Sequence, residues 1–321
     1  MKESNIENCC TASRESSVSE THIASPNKSF KSTNADTRKM ALIPGGKFSM
    51  GTDYKLAFKQ DGEGPVREIT INSFYIDKTT VTNSQFAKFI NATKYRTEAE
   101  KFGWSFVFHL LTPDDILKIS PESPPNTPWW RKVDGASWKH PAGPKTTIKS
   151  IMNHPVTHVS WNDAIEYCNW SGKRLPTESE WEFAARGGLN QKIFPWGDNL
   201  LSKDGNHLCN IWQGEFPHEN TNEDGFLGTA PAKYYSQNGY GLYNMSGNVW
   251  EWQSDWFSTS FHINGPTDNP VGPKIGTAKT IKGGSYLCHD SYCNRYRIAA
   301  RTSNTPDSST GNLGFRCVVD V

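Results

Sequence analysis

The apolar positions of the chain change period several times. An apolar run, a Pro-Gly turn and an alternating segment predict a hairpin over residues 40–51, and alternating apolar residues predict strand structure over residues 69–76. Behind Thr82, the residues Phe86 and Ile90 share one face of a predicted helix. The first part of the chain is therefore expected to mix strands and a helix.

Two further helices carry stronger signals, because each begins with a capping box. Ser160 and Asp163 form the first box, and the apolar stripe behind it includes Cys168. This position indicates that Cys168 is a core residue rather than a reactive one. The second box begins at Thr177, and its helix is expected to end at Gly187.

The remaining chain shows little periodicity. Residues 112–150 are rich in proline and contain Trp129-Trp130, which predicts a long loop that is either functional or a plain surface lid. From Phe194 onward, Asn, Asp and Gly recur in a way that is typical of ordinary turns and also suits calcium. With 12 tryptophans and 26 glycines, we expect long loops pinned by aromatic side chains.

Composition narrows the possible functions. The net charge of +1 gives no reason to expect a nucleic-acid partner, and no apolar run is long enough for a transmembrane helix. Residues 1–38 are polar and aperiodic, so we predict a disordered tail, in which Cys9 and Cys10 are interpreted as incidental. Residues 39–321 form the predicted domain. The seven cysteines are an odd number, so at least one thiol is free or paired between chains.

The candidate chemistry is concentrated in residues 283–297. Cys288 and Cys293 stand five residues apart, beside serine, histidine, tyrosine and arginine residues. Nearby arginines favour the thiolate form, which is both a nucleophile and a metal ligand. Two thiolates suit a soft ion such as Cu(I). The same pair could instead close into a structural disulfide.

These residues lie in segments that resemble the formylglycine-generating enzymes, also called sulfatase-modifying factors. The resemblance covers about residues 40–320. Its segments include Ile43-Pro44-Gly45-Gly46, His158-Val159-Ser160-Trp161, Lys173-Arg174-Leu175-Pro176-Thr177-Glu178, Gly247-Asn248-Val249-Trp250-Glu251-Trp252, Gly283-Gly284-Ser285-Tyr286, Asn304-Thr305-Pro306-Asp307 and Asn312-Leu313-Gly314-Phe315-Arg316-Cys317. The cysteine pair is the part that marks the enzymes within a wider superfamily.

The resemblance implies a single α+β domain with little regular secondary structure, related to C-type lectin-like folds. It implies an oxidase that uses molecular oxygen, a thiol reductant and Cu(I) to convert the cysteine of a Cys-x-Pro-x-Arg segment in unfolded sulfatases to Cα-formylglycine. Cu(I) would be held by Cys288 and Cys293. The other implied active-site positions are Ser285, Tyr292, His289, Trp250, Arg301, Ser309 and Asn312.

The resemblance also implies two structural calcium ions and one disulfide. The first calcium set is Asn210, Ile211, Asp224 and Phe226, and the second is Asn244, Gly247, Val249 and Glu251. The implied disulfide joins Cys168 to Cys317. A second disulfide of secreted relatives is lost, because its positions are Ala185 and Ile298. We therefore expect a cytoplasmic enzyme of bacterial type, or a secretory one if an N-terminal signal is missing from this chain.

Two alternatives stand beside the oxidase. A non-catalytic member of the same fold could bind a peptide or a glycan, but it would have no need of both cysteines. An iron-dependent, sulfoxide-forming relative would need a His-x-x-x-His-x-Glu pattern, and that spacing does not occur in the sequence.

Overall fold

The computed structural model describes residues 12–14, 35–119 and 122–321. Its helices are short, and much of the chain between them is irregular. The strands are β1 (Met40–Ile43), β2 (Gly46–Met50), β3 (Arg67–Ile71), β4 (Phe74–Asp77), β5 (Trp104–Phe108), β6 (Trp130–Asp134), β7 (Trp250–Trp256), β8 (Lys279–Lys282), β9 (Arg301–Asn304), β10 (Leu313–Gly314) and β11 (Val318–Asp320). The helices are α1 (Asn83–Thr93), α2 (Glu98–Phe102), α3 (Asp114–Leu117), α4 (Trp161–Ser171), α5 (Glu178–Arg186) and α6 (Phe261–Asn264).

The hairpin predicted over residues 40–51 is wrong. β1 pairs with β4 and β2 pairs with β3, so the two segments form one side of a longer antiparallel ribbon. Gly45 lies at the break between them with φ of +70°, and a Cβ there would stand 2.6 Å from the Ile71 carbonyl oxygen. The Pro-Gly signal therefore marks a bend along the ribbon, not a reversal.

The strands predicted over residues 69–76 are confirmed as β3 and β4. A three-stranded sheet has the order β1-β4-β11, and a four-stranded sheet has the order β10-β7-β8-β9. The long loop predicted over residues 112–150 is interrupted by α3 and by β6, which pairs with β5. That pairing depends on a partner strand distant in sequence, which a local pattern does not reveal.

The predicted helix starts are confirmed. Thr82, Ser160 and Thr177 each form a complete capping box. Gly187 ends α5 in the left-handed conformation, with φ of +57°. Cys168 is buried, as the stripe on α4 predicts.

The main core is aromatic and contains the cysteines of interest. Trp250, Trp252, Cys288 and Cys293 belong to one buried cluster. This arrangement confirms the prediction of an α+β domain with little regular structure. No helix of the described residues is long and apolar enough to cross a membrane.

The predicted disordered tail, residues 1–38, lies mostly outside the described residues. Ala12 and Arg14 are described, and both are buried against the domain. Cys9 and Cys10 lie outside the described residues.

Candidate active site

The two cysteines are brought together by a tight loop. The Cys288 N–H donates to the Ser285 carbonyl at 2.9 Å, and the Cys293 N–H donates to the His289 carbonyl at 2.8 Å. These turns place the two Sγ atoms 3.5 Å apart, with both residues fully buried. Gly284 enters the loop with φ of +71°, and a Cβ there would lie 2.7 Å from the Cα of Tyr296. The loop therefore needs glycine at that position.

Ser285 stands beside this pair in a buried hydrogen-bond chain. The Ser285 N–H donates to the Cys288 Sγ at 3.4 Å. Its hydroxyl accepts from the Asn312 Nδ2 at 3.0 Å, and the Asn312 Oδ1 accepts from the Thr310 hydroxyl at 2.7 Å. Three of the predicted site residues are thus in one contact network.

Aromatic rings form a wall near the cysteines. Tyr292 stacks on Phe216, with ring centroids 3.9 Å apart, and meets the edge of Trp129 at 5.7 Å. Trp250 is fully buried in the same cluster as the cysteines. Its backbone N–H donates to the Asn312 carbonyl at 2.9 Å. Such a wall excludes water from the sulfur atoms and raises the strength of local electrostatic interactions.

Ser309 lies in a second polar chain, which the sequence analysis missed. Its hydroxyl is 2.9 Å from the Ser105 Oγ, which lies 2.8 Å from the Nδ1 of His158. Burial lowers the pKa of His158 to about 4, and the nearby charge of Arg14 acts in the same direction. The backbone of His158 has φ of +58°, an uncommon conformation for a residue other than glycine. His158 belongs to a segment of the resemblance, and that membership was its only signal.

His289 and Arg301 lie apart from these chains. The His289 Nδ1 contacts Ser291 at 2.8 Å, and its side chain is partly exposed. Arg301 is buried in a bidentate ion pair with Glu178, at 2.6 and 2.7 Å. Its guanidinium also donates to the backbone carbonyl oxygens of residues 61 and 258 and lies over the ring of Phe257, 4.6 Å from the centroid. The structure therefore places Arg301 in a structural ion-pair cluster.

The first predicted calcium set converges on one acidic residue. The Phe226 N–H donates to the Asp224 Oδ1 at 3.0 Å, and the Ile211 N–H contacts the same carboxylate. Within the described part of the chain, the Asn210 Oδ1 and the Asp224 Oδ2 are buried oxygens with no hydrogen-bond partner. Burial raises the pKa of Asp224. Unpartnered buried oxygens of this kind fit a hard cation such as Ca²⁺.

The second predicted calcium set fits less completely. The Asn244 Oδ1 is also a buried oxygen without a partner among the described residues. The carboxylate of Glu251, however, receives two hydrogen bonds from Arg316, both at 2.7 Å, and a third from Trp181 at 2.8 Å. Glu251 therefore already has a buried cationic partner. Gly247, in contrast, has φ of +74° and packs against the Asn210 carbonyl, where a Cβ would lie 2.3 Å from its oxygen.

The described residues contain no cluster of three or more His, Cys, Asp or Glu side chains suited to a metal ion. Each predicted site relies instead on two sulfurs, or on amide and carbonyl oxygens with one carboxylate. Cys168 and Cys317 have Sγ atoms 3.5 Å apart and are free thiols. They are adjacent, as the resemblance implies, but are not bonded.

Comparisons with known proteins agree with this geometry. Residues 26–321 match the family model described as "Sulfatase-modifying factor enzyme 1-like domain". The chain therefore belongs to the sulfatase-modifying factor family. It is 55% identical over 290 residues to a protein of Thermomonospora curvata named "Formylglycine-generating enzyme", covering 88% of this chain and 93% of the relative.

Family membership includes inactive relatives. The chain is 45% identical over 287 residues to "Inactive C-alpha-formylglycine-generating enzyme 2" of Bos taurus, covering 88% of this chain and 86% of that one. Among solved structures, PvdO from Pseudomonas aeruginosa is similar in fold, with a TM-score of 0.64 and 21% identity over 88% of this chain and 94% of PvdO. Because active and inactive enzymes share this family, an inference about activity has to rest on the residues of the site.

Proposed function

We propose that this protein oxidises a cysteine of sulfatase polypeptides to Cα-formylglycine. The observation that carries this proposal is the buried Cys288–Cys293 pair, with sulfur atoms 3.5 Å apart beside the Ser285 hydroxyl network. The names of relatives 55% identical over most of the chain support the same reaction. A non-catalytic binding module would gain nothing from two fully buried sulfurs next to a polar hydroxyl chain.

Cu(I) is the metal that this donor set fits, and Cys288 and Cys293 would hold it as thiolates. Two soft sulfur ligands 3.5 Å apart in a fully buried pocket favour a soft ion. When bound, the copper supplies the activation of molecular oxygen. The protein supplies the rest: Ser285 and Asn312 fix a polar edge beside the sulfurs, and the ring of Tyr292 helps to exclude water.

The proposed substrate is a Cys-x-Pro-x-Arg segment of an unfolded sulfatase, with oxygen as oxidant and a thiol as reductant. The test is incubation of such a peptide with the pre-reduced protein, Cu(I) and a thiol, followed by mass spectrometry. We expect the mass loss that accompanies conversion of the thiol to an aldehyde, and capture of the product by a hydrazide reagent.

Two variants and a matched control sharpen this test. Cys288→Ser and Cys293→Ser should each abolish turnover, because a serine hydroxyl is a poor ligand for Cu(I). Cys168→Ser changes another buried thiol of the same core cluster and should keep most of the turnover. Full turnover by either site variant, or an unmodified peptide with the unaltered protein, contradicts the proposal.

A further inference from the structure

Residues Ala12–Arg14 lie in a groove of the domain that is lined by apolar side chains and hydrogen-bonding groups. Ala12 is 2% exposed and packs in a cluster with Trp212, Leu287 and Phe106. Its carbonyl accepts from the Asn304 Nδ2 at 3.1 Å, and the Ser13 hydroxyl donates to the Asn304 Oδ1 at 2.7 Å. The amide nitrogen and the amide oxygen of Asn304 therefore both bind this short segment.

Arg14 fills a pocket of its own and is 5% exposed. Its guanidinium lies over the rings of Trp104 and Phe102, at 3.8 and 4.3 Å from their centroids. It donates to the Trp104 carbonyl at 2.7 Å, to the Asp307 carbonyl at 3.1 Å and to the Ser309 hydroxyl at 3.1 Å. The Arg14 N–H donates to the Ser308 hydroxyl at 2.7 Å. Planar stacking and several fixed acceptors are the features that select arginine.

The segment runs from the Arg14 pocket to a buried cluster next to the cysteine loop. Arg14 contacts Ser309 at one end, and at the other end Ala12 belongs to the cluster that contains Leu287, the neighbour of Cys288 in the sequence. Cys10 precedes Ala12 by two residues, so their Cα atoms are at most about 7.6 Å apart. The sequence therefore carries a thiol two residues before the end of the segment that shares a cluster with Leu287.

Cys293 is in a different bonding state from the other described cysteines. Cys293 is disulfide-bonded. Its partner is not Cys288, because sulfur atoms 3.5 Å apart are not bonded to each other. Nor is it one of the free thiols Cys168, Cys209 and Cys317. The other two cysteines of the chain are Cys9 and Cys10.

The sequence of the segment has the spacing of the proposed substrate. Cys10-Thr11-Ala12-Ser13-Arg14 matches Cys-x-Pro-x-Arg at the cysteine and the arginine, with alanine in place of proline. We propose that residues 10–14 are an internal occupant of the groove that receives the client peptide, with Cys10 able to form a disulfide with Cys293. Joining the two thiols releases two electrons and two protons, which a small-molecule disulfide accepts on becoming two thiols.

This inference rests on the proposed function for the identity of the client peptide. An internal occupant competes with the client, because only the open fraction of the protein can bind it. If the segment fills the groove for nine-tenths of the time, the apparent dissociation constant of a client peptide rises roughly tenfold.

The first test measures peptide binding in thiol reductant, without copper. A fluorescent Ser-x-Pro-x-Arg peptide cannot be oxidised or form a disulfide, and its anisotropy reports groove occupancy alone. Arg14→Ala empties the internal arginine pocket and should bind this peptide several-fold to tenfold more tightly than the unaltered full chain. Arg38→Ala is the matched control, because Arg38 is exposed and its ion pair is with Asp36. Equal affinity in all three proteins, or no binding by any of them, overturns the inference.

The second test locates the disulfide. Non-reducing peptide mapping should link the peptide that contains Cys10 to the peptide that contains Cys293. This link should vanish in Cys10→Ser and persist in Cys9→Ser. A link that survives in Cys10→Ser contradicts the assignment.

Failure of the inference is distinguishable from failure of the proposed function. Tighter binding by Arg14→Ala without any aldehyde product would support the internal occupant and reject the oxidase. Aldehyde formation with unchanged peptide binding by Arg14→Ala would support the oxidase and reject the internal occupant.

Discussion

The Nδ2 of Asn312 donates to the hydroxyl oxygen of Ser285 at 3.0 Å, with both residues fully buried. Because the Asn312 Oδ1 is held by the Thr310 hydroxyl, the amide cannot rotate without losing a bond. Ser285 in turn touches the Cys288 sulfur through its backbone N–H. A residue on the β10 side of the site therefore fixes the orientation of a hydroxyl beside the cysteine loop.

Asn312→Ala should separate these roles. It leaves the buried Thr310 hydroxyl without its acceptor, which costs about 1–3 kcal/mol of stability, whereas the Ser285 hydroxyl keeps the Leu287 N–H as a donor. We expect turnover to fall by about a hundredfold through misplacement of Ser285, with a smaller change in KM. Steady-state kinetics and a melting curve check this. Asn169→Ala, an exposed position on α4, is the control. Unchanged kcat in a folded Asn312→Ala protein would refute the positioning role.

The first calcium set is tested by Asp224→Asn, which keeps the shape of the side chain and removes its charge. If Ca²⁺ binds there, a chelator should lower the melting temperature of the unaltered protein and change that of the variant much less. An ion at a hundred times its dissociation constant stabilises the folded state by about 2.7 kcal/mol. Asp204→Asn, on an exposed turn, should respond like the unaltered protein. A melting curve that no chelator moves would count against this site.

Glu251→Ala is a poor test of the second set. It would leave Arg316 as a buried charge without its carboxylate partner, and that loss alone is strongly destabilising. Asn244→Ala is the better variant, since the Asn244 Oδ1 has no partner among the described residues. If this oxygen binds Ca²⁺, the variant should lose part of the calcium-dependent shift in melting temperature.

Cys168 and Cys317 should form a disulfide when the protein is oxidised. Their sulfur atoms are 3.5 Å apart and their positions are 149 residues apart in the chain. Closing so long a loop stabilises by about 5 kcal/mol in the chain-entropy model. Burial raises the pKa of Cys317, so its thiolate is scarce and the reaction should be slow. Peptide mapping after oxidation and melting curves with and without reductant give the readout; linkage of Cys168 to Cys209 would contradict it.

The buried carboxyl of Asp255 should make stability depend on pH. Burial, reinforced by the charge of Glu178, raises the pKa of Asp255 to about 7. Between about pH 4 and pH 7 the folded state keeps a proton that the unfolded chain has lost. The contribution of Asp255 to the free energy of unfolding therefore falls as pH rises through this window and is level above it.

Asp255→Asn should remove that contribution, because an amide oxygen can still accept the Glu178 N–H bond of 2.9 Å. Denaturant unfolding across the window gives the measurement, with Asp204→Asn as control. A variant whose pH dependence matches that of the unaltered protein would show that Asp255 is ionised throughout.

Local signals predicted local structure well. The three helix starts follow from side chains that bond backbone groups three residues away, and all three are confirmed. The Pro-Gly signal near Gly45 was misleading, because bends and reversals use the same residues. The pairing of β5 with β6 was missed, because it depends on contacts distant in sequence.

The candidate site also has features that local sequence predicts and features that depend on contacts between distant residues. The cysteine pair could be predicted because five residues of loop bring the two sulfurs together. The contact of Ser309 with Ser105 spans 204 positions and left no trace in the sequence. The spacing of Cys10 and Arg14 was present in the sequence, but compositional bias indicated only a disordered tail. Burial of Ala12 and Arg14 is what gives that spacing a meaning.

The three-stranded sheet has a consequence for biosynthesis. β4 lies between β1, near the start of the domain, and β11, at residues 318–320, so the sheet cannot be completed until β11 has emerged from the ribosome. Until then one edge of β4 has no partner strand, and Glu251 lacks the ion pair that it forms with Arg316. Closure of the domain therefore follows synthesis of residues 316–320, and before that the growing chain exposes an unpaired strand edge.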